Sequence, residues 1–215
     1  ALPISDDCNI YVRSQRAGQR VMASVTKFIE GRMRLKVNKD KSAVARPHQR
    51  HFLGFRLRRM PWEEEVEVLL SKRSLERIHT RIKELTPRNW GGSLRDCLQR
   101  VNQYLRGWFG FFKICTPGED KTFGRLDAHI RRRLRAIVLK QWRRKRTMAR
   151  RLIRLGIKPR TAWRAVYDGS KSWWALSRSP TVNRALRNAY FAERGLFSLQ
   201  VAWRNFQEVV NAPRQ

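Results

Sequence analysis

A forty-residue segment of this chain combines a very high positive charge with the residue spacing of an α-helix. Between positions 121 and 160 the sequence has sixteen Lys or Arg and a single acidic residue, Asp127. In its first half, apolar residues recur every three or four positions, which is the period of a helix with one buried face. A surface with charges of one sign repels itself unless a polyanion neutralises it. The segment therefore predicts a helix that buries an apolar stripe and presents arginines to an anionic partner.

The whole chain has the same imbalance, with a formal net charge of +31 over 215 residues. This charge predicts nucleic acid as the first polyanionic partner and an anionic membrane surface as the second. A hydrophobic fraction of 41%, with eight Trp and ten Phe, is sufficient for a folded core and argues against a disordered chain. No apolar run approaches the roughly 20 residues of a membrane-spanning helix, so we expect no such segment.

The cysteines Cys8, Cys97 and Cys115 form no CxxC pair, and the four histidines do not complete a zinc-binding pattern. An odd cysteine count without metal-ligand spacing is typical of a reducing compartment. We therefore expect a cytoplasmic protein without a signal peptide.

The N-terminal part of the chain predicts a small mixed sheet. Residues 8–13 alternate weakly and predict a strand, and residues 15–35 have the apolar spacing of a helix. Residues 35–37 predict a short strand and residues 51–57 another, in which Gly54 permits close backbone approach. This order of elements is typical of the edge of an α+β sheet.

The remainder of the chain predicts helices. Ser74 and Ser93 are placed to cap helices over residues 75–85 and 94–112. Further helices are predicted over residues 122–146, 159–167 and 180–194, the last ended by Gly195.

After Pro61 the predicted elements change from a mixture of strands and a helix to helices alone, which marks one domain boundary. With a separate C-terminal extension, the chain is predicted to contain three domains. Residues 1–60 form the mixed part, residues 61–150 a helical domain, and residues 151–215 a basic C-terminal extension. The predicted fold class is therefore α+β, with a mainly helical second part.

Arginine outnumbers lysine in the basic segment, and its planar guanidinium suits bidentate contact with phosphate. A solvated charged surface normally mixes both signs, so a merely soluble surface is the less favoured alternative. One ring of the adjacent pair Trp173 and Trp174 is expected to point outward, where unpaired bases could stack on it. The residues that we predict to bind RNA are Arg106, Arg125, Arg131, Arg132, Arg133, Arg135, Lys140, Arg143 and Arg144.

A second feature is the pair of adjacent carboxylates Asp6 and Asp7 before a β-prone stretch. Such a pair becomes useful when a divalent cation lies between it and a phosphate, as in polymerases. For the pair alone, an ordinary turn or helix cap is the default interpretation. The order of the elements that follow the pair favours a catalytic role. A predicted helix comes first, then a turn with Asn38 and Lys41, and then residues 52–55. Lys41 could there reach a triphosphate or protonate the leaving pyrophosphate.

These residues resemble bacterial group II intron reverse transcriptases with their maturase domain, over the C-terminal half of that family. Residues 5–7 (SDD) resemble the metal-binding signature of the polymerase palm, and residues 35–42 (LKVNKDKS) and 52–55 (FLGF) resemble the next two polymerase motifs. Three longer strings resemble the thumb-like maturase domain and its extension: residues 104–112 (YLRGWFGFF), 126–144 (LDAHIRRRLRAIVLKQWRR) and 174–196 (WALSRSPTVNRALRNAYFAERGL).

The resemblance implies the end of a polymerase palm over residues 1–60, followed by a helical thumb and maturase domain. The full-length enzyme would bind intron RNA to assist splicing, and it would copy RNA into DNA for intron mobility with primer and template as further partners. Catalytic roles would fall to Asp6, Asp7 and Lys41, with Mg²⁺ held by the two aspartates. Contacts with primer or nucleotide would come from Asn38, Phe52, Leu53 and Gly54.

Two departures from the family pattern limit what the chain is expected to do. Ile4 stands where the family carries a Tyr before the aspartates. The fingers and the first metal-binding Asp of the family are not found, so we expect this piece of a longer enzyme to be inactive as a polymerase by itself. The alternatives are a stand-alone basic RNA-binding module and a ribosomal-type structural RNA binder.

Overall fold

The computed structural model describes residues 9–59, 66–168 and 172–212, and it divides the chain into two compact units between Ser71 and Lys72. In the described residues the first unit contains one α-helix, one short 3-10 helix and a small sheet, and the second unit contains helices. This arrangement confirms the predicted α+β class. No described helix combines the length and the apolar character that crossing a lipid bilayer requires.

The first unit begins with helix α1, Gln15–Gly31, whose N-cap Ser14 accepts a hydrogen bond from the Ala17 amide at 3.2 Å. The helix is thus four residues shorter than predicted. The strands predicted over residues 8–13 and 35–37 are wrong wherever the structure describes them, because these stretches form no strand. A strand needs a partner backbone, and no described residue pairs with either stretch.

The sheet of the first unit is antiparallel, with its described strands in the order β1 (His51–Phe52), β2 (Phe55–Arg59) and β3 (Val66–Leu70). β3 was not predicted from the sequence.

The single strand predicted over residues 51–57 is in fact a hairpin. Leu53 and Gly54 have φ values of 50° and 85°, and Phe52 pairs with Phe55 across the turn. Positive φ at both central residues matches the twist of the strands that the turn connects. Gly54 therefore supplies a left-handed backbone conformation, and its carbonyl accepts a hydrogen bond from the Ser71 amide at 2.9 Å.

The second unit contains nine α-helices within the described ranges, and a short 3-10 helix, Pro117–Glu119, precedes the third of them. The α-helices are α2 (Lys72–Leu85), α3 (Leu94–Phe112), α4 (Asp120–Gln141), α5 (Lys145–Arg154), α6 (Pro159–Tyr167), α7 (Trp173–Leu176), α8 (Pro180–Ala185), α9 (Asn188–Ala192) and α10 (Leu199–Asn211). The predicted cap at Ser93 is confirmed, since its hydroxyl accepts from the Asp96 amide at 3.1 Å. The predicted cap at Ser74 is wrong, because Ser74 is buried inside α2.

α4 is the central helix of the second unit, in contact with α3, α7 and α10. Ten of its 22 residues are buried, so it is enclosed on several sides and the predicted single apolar stripe is too narrow. The helix ends five residues earlier than predicted, because Arg143 takes a φ of +54° that an α-helix excludes.

The single acid of the basic segment anchors the last helix. The buried Asp127 carboxylate accepts hydrogen bonds from the Ser198 hydroxyl at 2.6 Å and from the Leu199 and Gln200 amides at 3.0 and 3.2 Å. These amides belong to the first turn of α10, where an anion is favoured by the helix dipole. Asp127 is therefore committed to holding α10 on α4 and forms no ion pair with a described arginine.

Candidate nucleic-acid interface

The four arginines near the middle of α4 point to different neighbours. Each helical residue is rotated by about 100° from the one before it, so Arg131 and Arg135 share one side while Arg132 and Arg133 lie on others. The basic cluster that is continuous in the sequence is therefore divided among three environments in the fold.

Arg133 is a structural residue. Its guanidinium is buried, and its Nε donates to the Thr86 hydroxyl while Nη2 donates to the Thr86 carbonyl, both at 2.5 Å. Nη2 also lies 3.3 Å from the Lys83 carbonyl. These carbonyls belong to the C-terminal end of α2, where helical acceptors lack partners and a cation is favoured. The prediction that Arg133 faces RNA is corrected: it caps α2.

Arg135 is also buried, with 9% of its surface exposed. Its Nε donates to the Leu186 carbonyl at 2.9 Å. Leu186 leaves the helical conformation, with φ −99° and ψ 59°, and so interrupts the helix predicted over residues 180–194. The expected exposed position of Arg135 is thus corrected, because its guanidinium satisfies a backbone acceptor between α8 and α9.

Arg132 takes part in a cluster of cations around one indole ring. Its Cζ lies 3.8 Å from the ring centroid of Trp174, and Arg88 lies 5.1 Å from the same ring. Burial lowers the pKa of Arg132, and the charges of Arg178 and Arg88 lower it further. Arg133, held by its bonds to Thr86, also has its Cζ 5.7 Å from this ring centroid. We call Arg88, Arg132, Arg178 and Trp174 the Trp174 cluster, in which Arg178 is included for its charge effect on Arg132. Its arginines form no ion pair with any residue that the structure describes, so its charge is uncompensated.

The exposed member of the tryptophan pair is Trp173. It is 44% exposed, whereas guanidiniums cover Trp174, which answers the question that the sequence left open. Lys140, a predicted RNA-binding residue, is half-buried with its Nζ 5.9 Å from the Trp173 ring centroid.

The longest exposed run of positive charge follows α4. Arg143, Arg144, Lys145 and Arg146 are consecutive and exposed. They surround the N-terminus of α5, whose first turn has no acid and whose N-cap residue makes no side-chain hydrogen bond. The helix dipole adds positive potential at this end, so anions are favoured there and cations are not. We define the basic arm as these four residues together with the exposed Arg150, Arg151, Arg154, Lys158 and Arg160.

The remaining predicted RNA-binding residues are separate from these two groups. Arg106 is exposed, with its Cζ 4.9 Å from the Phe197 ring centroid, and Arg125 is exposed on α4. Arg131 is half-buried and lines a cleft beside α8 and α9. Arg88 was missed in the sequence because it is an isolated arginine in a connection, and tertiary packing alone brings it to Trp174. Arg178 was missed because it is also isolated, and its role depends on its charge acting on Arg132.

The predicted polymerase residues lie in tight turns where the structure describes them. Asn38 Oδ1 accepts from the Asp40 and Lys41 amides, both at 3.1 Å, which fixes an Asx turn with Lys41 exposed. Phe52, Leu53 and Gly54 form the hairpin turn of the sheet.

The predicted metal site has no structural counterpart here, because Asp6 and Asp7 lie outside the described residues. Within residues 9–59, 66–168 and 172–212, no three His, Cys, Asp or Glu side chains are grouped as metal ligands. The Mg²⁺ assignment therefore stays a prediction from the sequence.

Fold and charge define the second unit as a helical, strongly basic domain with an exposed arginine surface. Residues 75–156 match the family model described as "Group II intron, maturase-specific domain". These residues are thus similar to the maturase-specific domain of group II introns, and the resemblance predicted from the sequence is confirmed over them. The match supports a maturase role in splicing and covers α2 to α5. A search among curated proteins gave no significant match.

Proposed function

We propose that the second unit binds group II intron RNA through the basic arm and the Trp174 cluster, and so helps the intron to reach its splicing-competent shape. One observation carries the proposal: sixteen cations lie between positions 121 and 160, and the single acid among them is buried under α10. The remaining positive charge has no internal partner of comparable size, so an external polyanion lowers its repulsion.

The two parts of this surface are suited to different features of an RNA. The exposed guanidiniums of the basic arm match phosphate oxygens in bidentate geometry. The exposed ring of Trp173 beside the Trp174 cluster offers a face on which an unpaired base can stack. Structured RNA contains both features, whereas heparin contains only the charge.

Binding can be measured by fluorescence anisotropy with the whole chain and three probes: a folded group II intron transcript, a length-matched RNA duplex, and heparin. At about 150 mM salt we expect the intron transcript to bind at least about tenfold more tightly than the duplex, with an affinity that falls steeply as salt rises. Equal affinities for all three probes would contradict recognition of the intron. Absence of binding would contradict the proposal as a whole.

The Asp7→Ala variant is the control for this measurement. A carboxylate does not contact phosphate without a cation, so the affinity for the transcript should stay within about twofold of the wild-type value. A large loss would show that the binding surface includes the first unit.

We also propose that residues 1–60 belong to the polymerase part of a longer reverse transcriptase. Support comes from the two tight turns, around Asn38 and at residues 53–54, which occur at the two motifs that resemble the family. Asp6 and Asp7 would hold Mg²⁺, which when bound stabilises negative charge on phosphate. Luminescence of Tb³⁺, used as a probe for Mg²⁺, should fall in the Asp6→Asn/Asp7→Asn variant; unchanged luminescence would contradict this assignment.

A further inference from the structure

An open cleft of about 480 Å³ lies between α4 and the segment that contains α8 and α9. Three arginines line it: Arg131 and Arg135 from α4, and Arg187 from the connection between α8 and α9. The side-chain amides of Asn183 and Asn188 complete its polar lining, which includes no carboxylate. One wall of this cleft belongs to the helices that follow the matched maturase-specific segment.

The positive charge of the cleft is not neutralised by the protein. Arg131 and Arg187 form no ion pair with any residue in the described part of the chain. Burial lowers the pKa of Arg131, and the negative charge of Asp127 opposes this shift. Both carboxylate oxygens of Asp127 already accept hydrogen bonds from the start of α10. Arg135 is held in place by its bond to the Leu186 carbonyl, so its position is fixed before any ligand arrives.

The side-chain amides of Asn183 and Asn188 add hydrogen-bond donors and acceptors to the cleft, and binding of a simple anion does not require the acceptors. Asn183 is oriented by a hydrogen bond from its Nδ2 to the Arg178 carbonyl at 3.3 Å. Asn188 makes no side-chain hydrogen bond with the residues that the structure describes. An amide has both a donor and an acceptor, as the edge of a base or a ribose hydroxyl requires. Ala128 and Ala189 are small and leave the space between these groups open.

We propose that this cleft holds one unpaired nucleotide of a bound RNA, with its phosphate at the three arginines and its base edge or ribose at the two asparagines. The inference rests on the proposed binding of intron RNA. The cleft is open to solvent, and its volume is large enough to hold part or all of one nucleotide. A base inside a duplex is stacked and paired, so a nucleotide must be unpaired or flipped out to enter a site of this size.

The first test compares variants in their affinity for a short single-stranded RNA. We expect Arg131→Ala/Arg187→Ala to weaken binding by about thirtyfold and to make the salt dependence shallower. The control variant, Arg95→Ala/Arg184→Ala, removes the same charge from exposed positions outside the cleft and should cost about threefold or less. Equal losses in the two double variants would overturn the proposal, because general electrostatics would then explain both.

A neutral variant separates the site from general electrostatics. Asn188→Ala removes no charge, and we expect it to weaken binding of single-stranded RNA by about fivefold while binding of heparin stays unchanged. Unchanged RNA affinity would overturn the assignment of the amides to the nucleotide.

The second test observes the cleft without RNA. The Nε–Hε group of Arg135 is buried and hydrogen-bonded, so its ¹⁵N–¹H NMR signal should be protected from exchange. Uridine 5′-monophosphate should shift this signal more strongly than inorganic phosphate does, and Asn188→Ala should reduce the difference. Equal shifts from the two ligands would reduce the cleft to an anion site and overturn the nucleotide proposal.

The two tests also separate this inference from the proposed function. If the wild-type chain bound no RNA but the nucleotide still shifted the Arg135 signal, intron binding would fail while the cleft would stand as a nucleotide site. If RNA bound normally and neither the variants nor the nucleotide had an effect, the cleft proposal would fail and the proposed function would remain.

Discussion

Replacing Arg143, Arg144, Lys145 and Arg146 together by Glu is expected to weaken binding of intron RNA at least about a thousandfold at about 150 mM salt. The four side chains are exposed, consecutive and adjacent to the positive end of α5, so reversing them turns the most cationic part of the surface into a repulsive one. Affinity measured by anisotropy as a function of salt checks this result. The corresponding Gln variant should have a smaller effect and a salt slope shallower by about three to four.

The matched control reverses four exposed cations elsewhere in the second unit: Lys72, Arg73, Arg77 and Arg95. Glu76 and Glu84 lie near the α2 positions, so this surface mixes both signs, as a solvated face normally does. We expect the control to reduce affinity by about tenfold or less through the change in net charge. Similar losses in the two quadruple variants would show that net charge determines binding and that the basic arm is not special.

Arg133→Met is expected to destabilise the second unit by about 2–4 kcal/mol. The substitution removes three hydrogen bonds from a charged donor and leaves the buried Thr86 carbonyl without that donor at the end of α2. Met fills part of the same volume, so the loss reports mainly on hydrogen bonding. Urea unfolding followed by circular dichroism measures the change in the free energy of unfolding.

The neighbouring Arg132→Met variant provides the comparison. Arg132 contributes a cation–π contact of about 0.5–2 kcal/mol, and burial leaves its Nε without a hydrogen-bond partner in the described structure. We therefore expect a smaller loss of stability than for Arg133→Met, together with weaker RNA binding, because a member of the Trp174 cluster is removed. If Arg133→Met were the variant that lost RNA affinity while remaining stable, its assignment as a structural residue would be contradicted.

These two variants change how the arginine-rich stretch of α4 should be tested. Charge reversal at Arg131, Arg132, Arg133 and Arg135 together would unfold the domain before it reported on RNA, because Arg133 and Arg135 hold buried carbonyls. The basic arm can be changed without this complication, because its residues are exposed.

Several local structures were predictable because the chain itself supplies their chemistry. Ser93 precedes an apolar helical pattern and is followed by Asp96, and it caps α3 as predicted. The helix over residues 159–167 begins with a proline at its first position and was also predicted correctly. Ser74 has the same residue type as Ser93 but lies inside α2, because the helix starts two residues earlier, at Lys72. A capping residue therefore indicates a helix start without fixing it.

The turn of the hairpin at residues 51–59 could not be predicted from the local sequence pattern. The string FLGF is apolar throughout and reads as one strand, yet Leu53 adopts a φ of 50° that is uncommon for its residue type. The pairing of β2 with β3 stabilises this turn, and the sequence of the turn itself does not predict that pairing. α10 was missed for a related reason: its start is stabilised by Asp127, which lies 72 residues earlier than Leu199.

The sequence by itself determined that this chain has a strongly cationic, helical second part and that its polymerase-like and maturase-like strings occur in a fixed order. Charge and helical period are properties of the residues and do not depend on how the helices pack. Tertiary structure alone decided which arginines can meet an RNA. Successive side chains on α4 are rotated by about 100°, so Arg132, Arg133 and the pair Arg131 and Arg135 lie in different surroundings. These surroundings determine whether a guanidinium binds a carbonyl, stacks on a ring or lines a cleft.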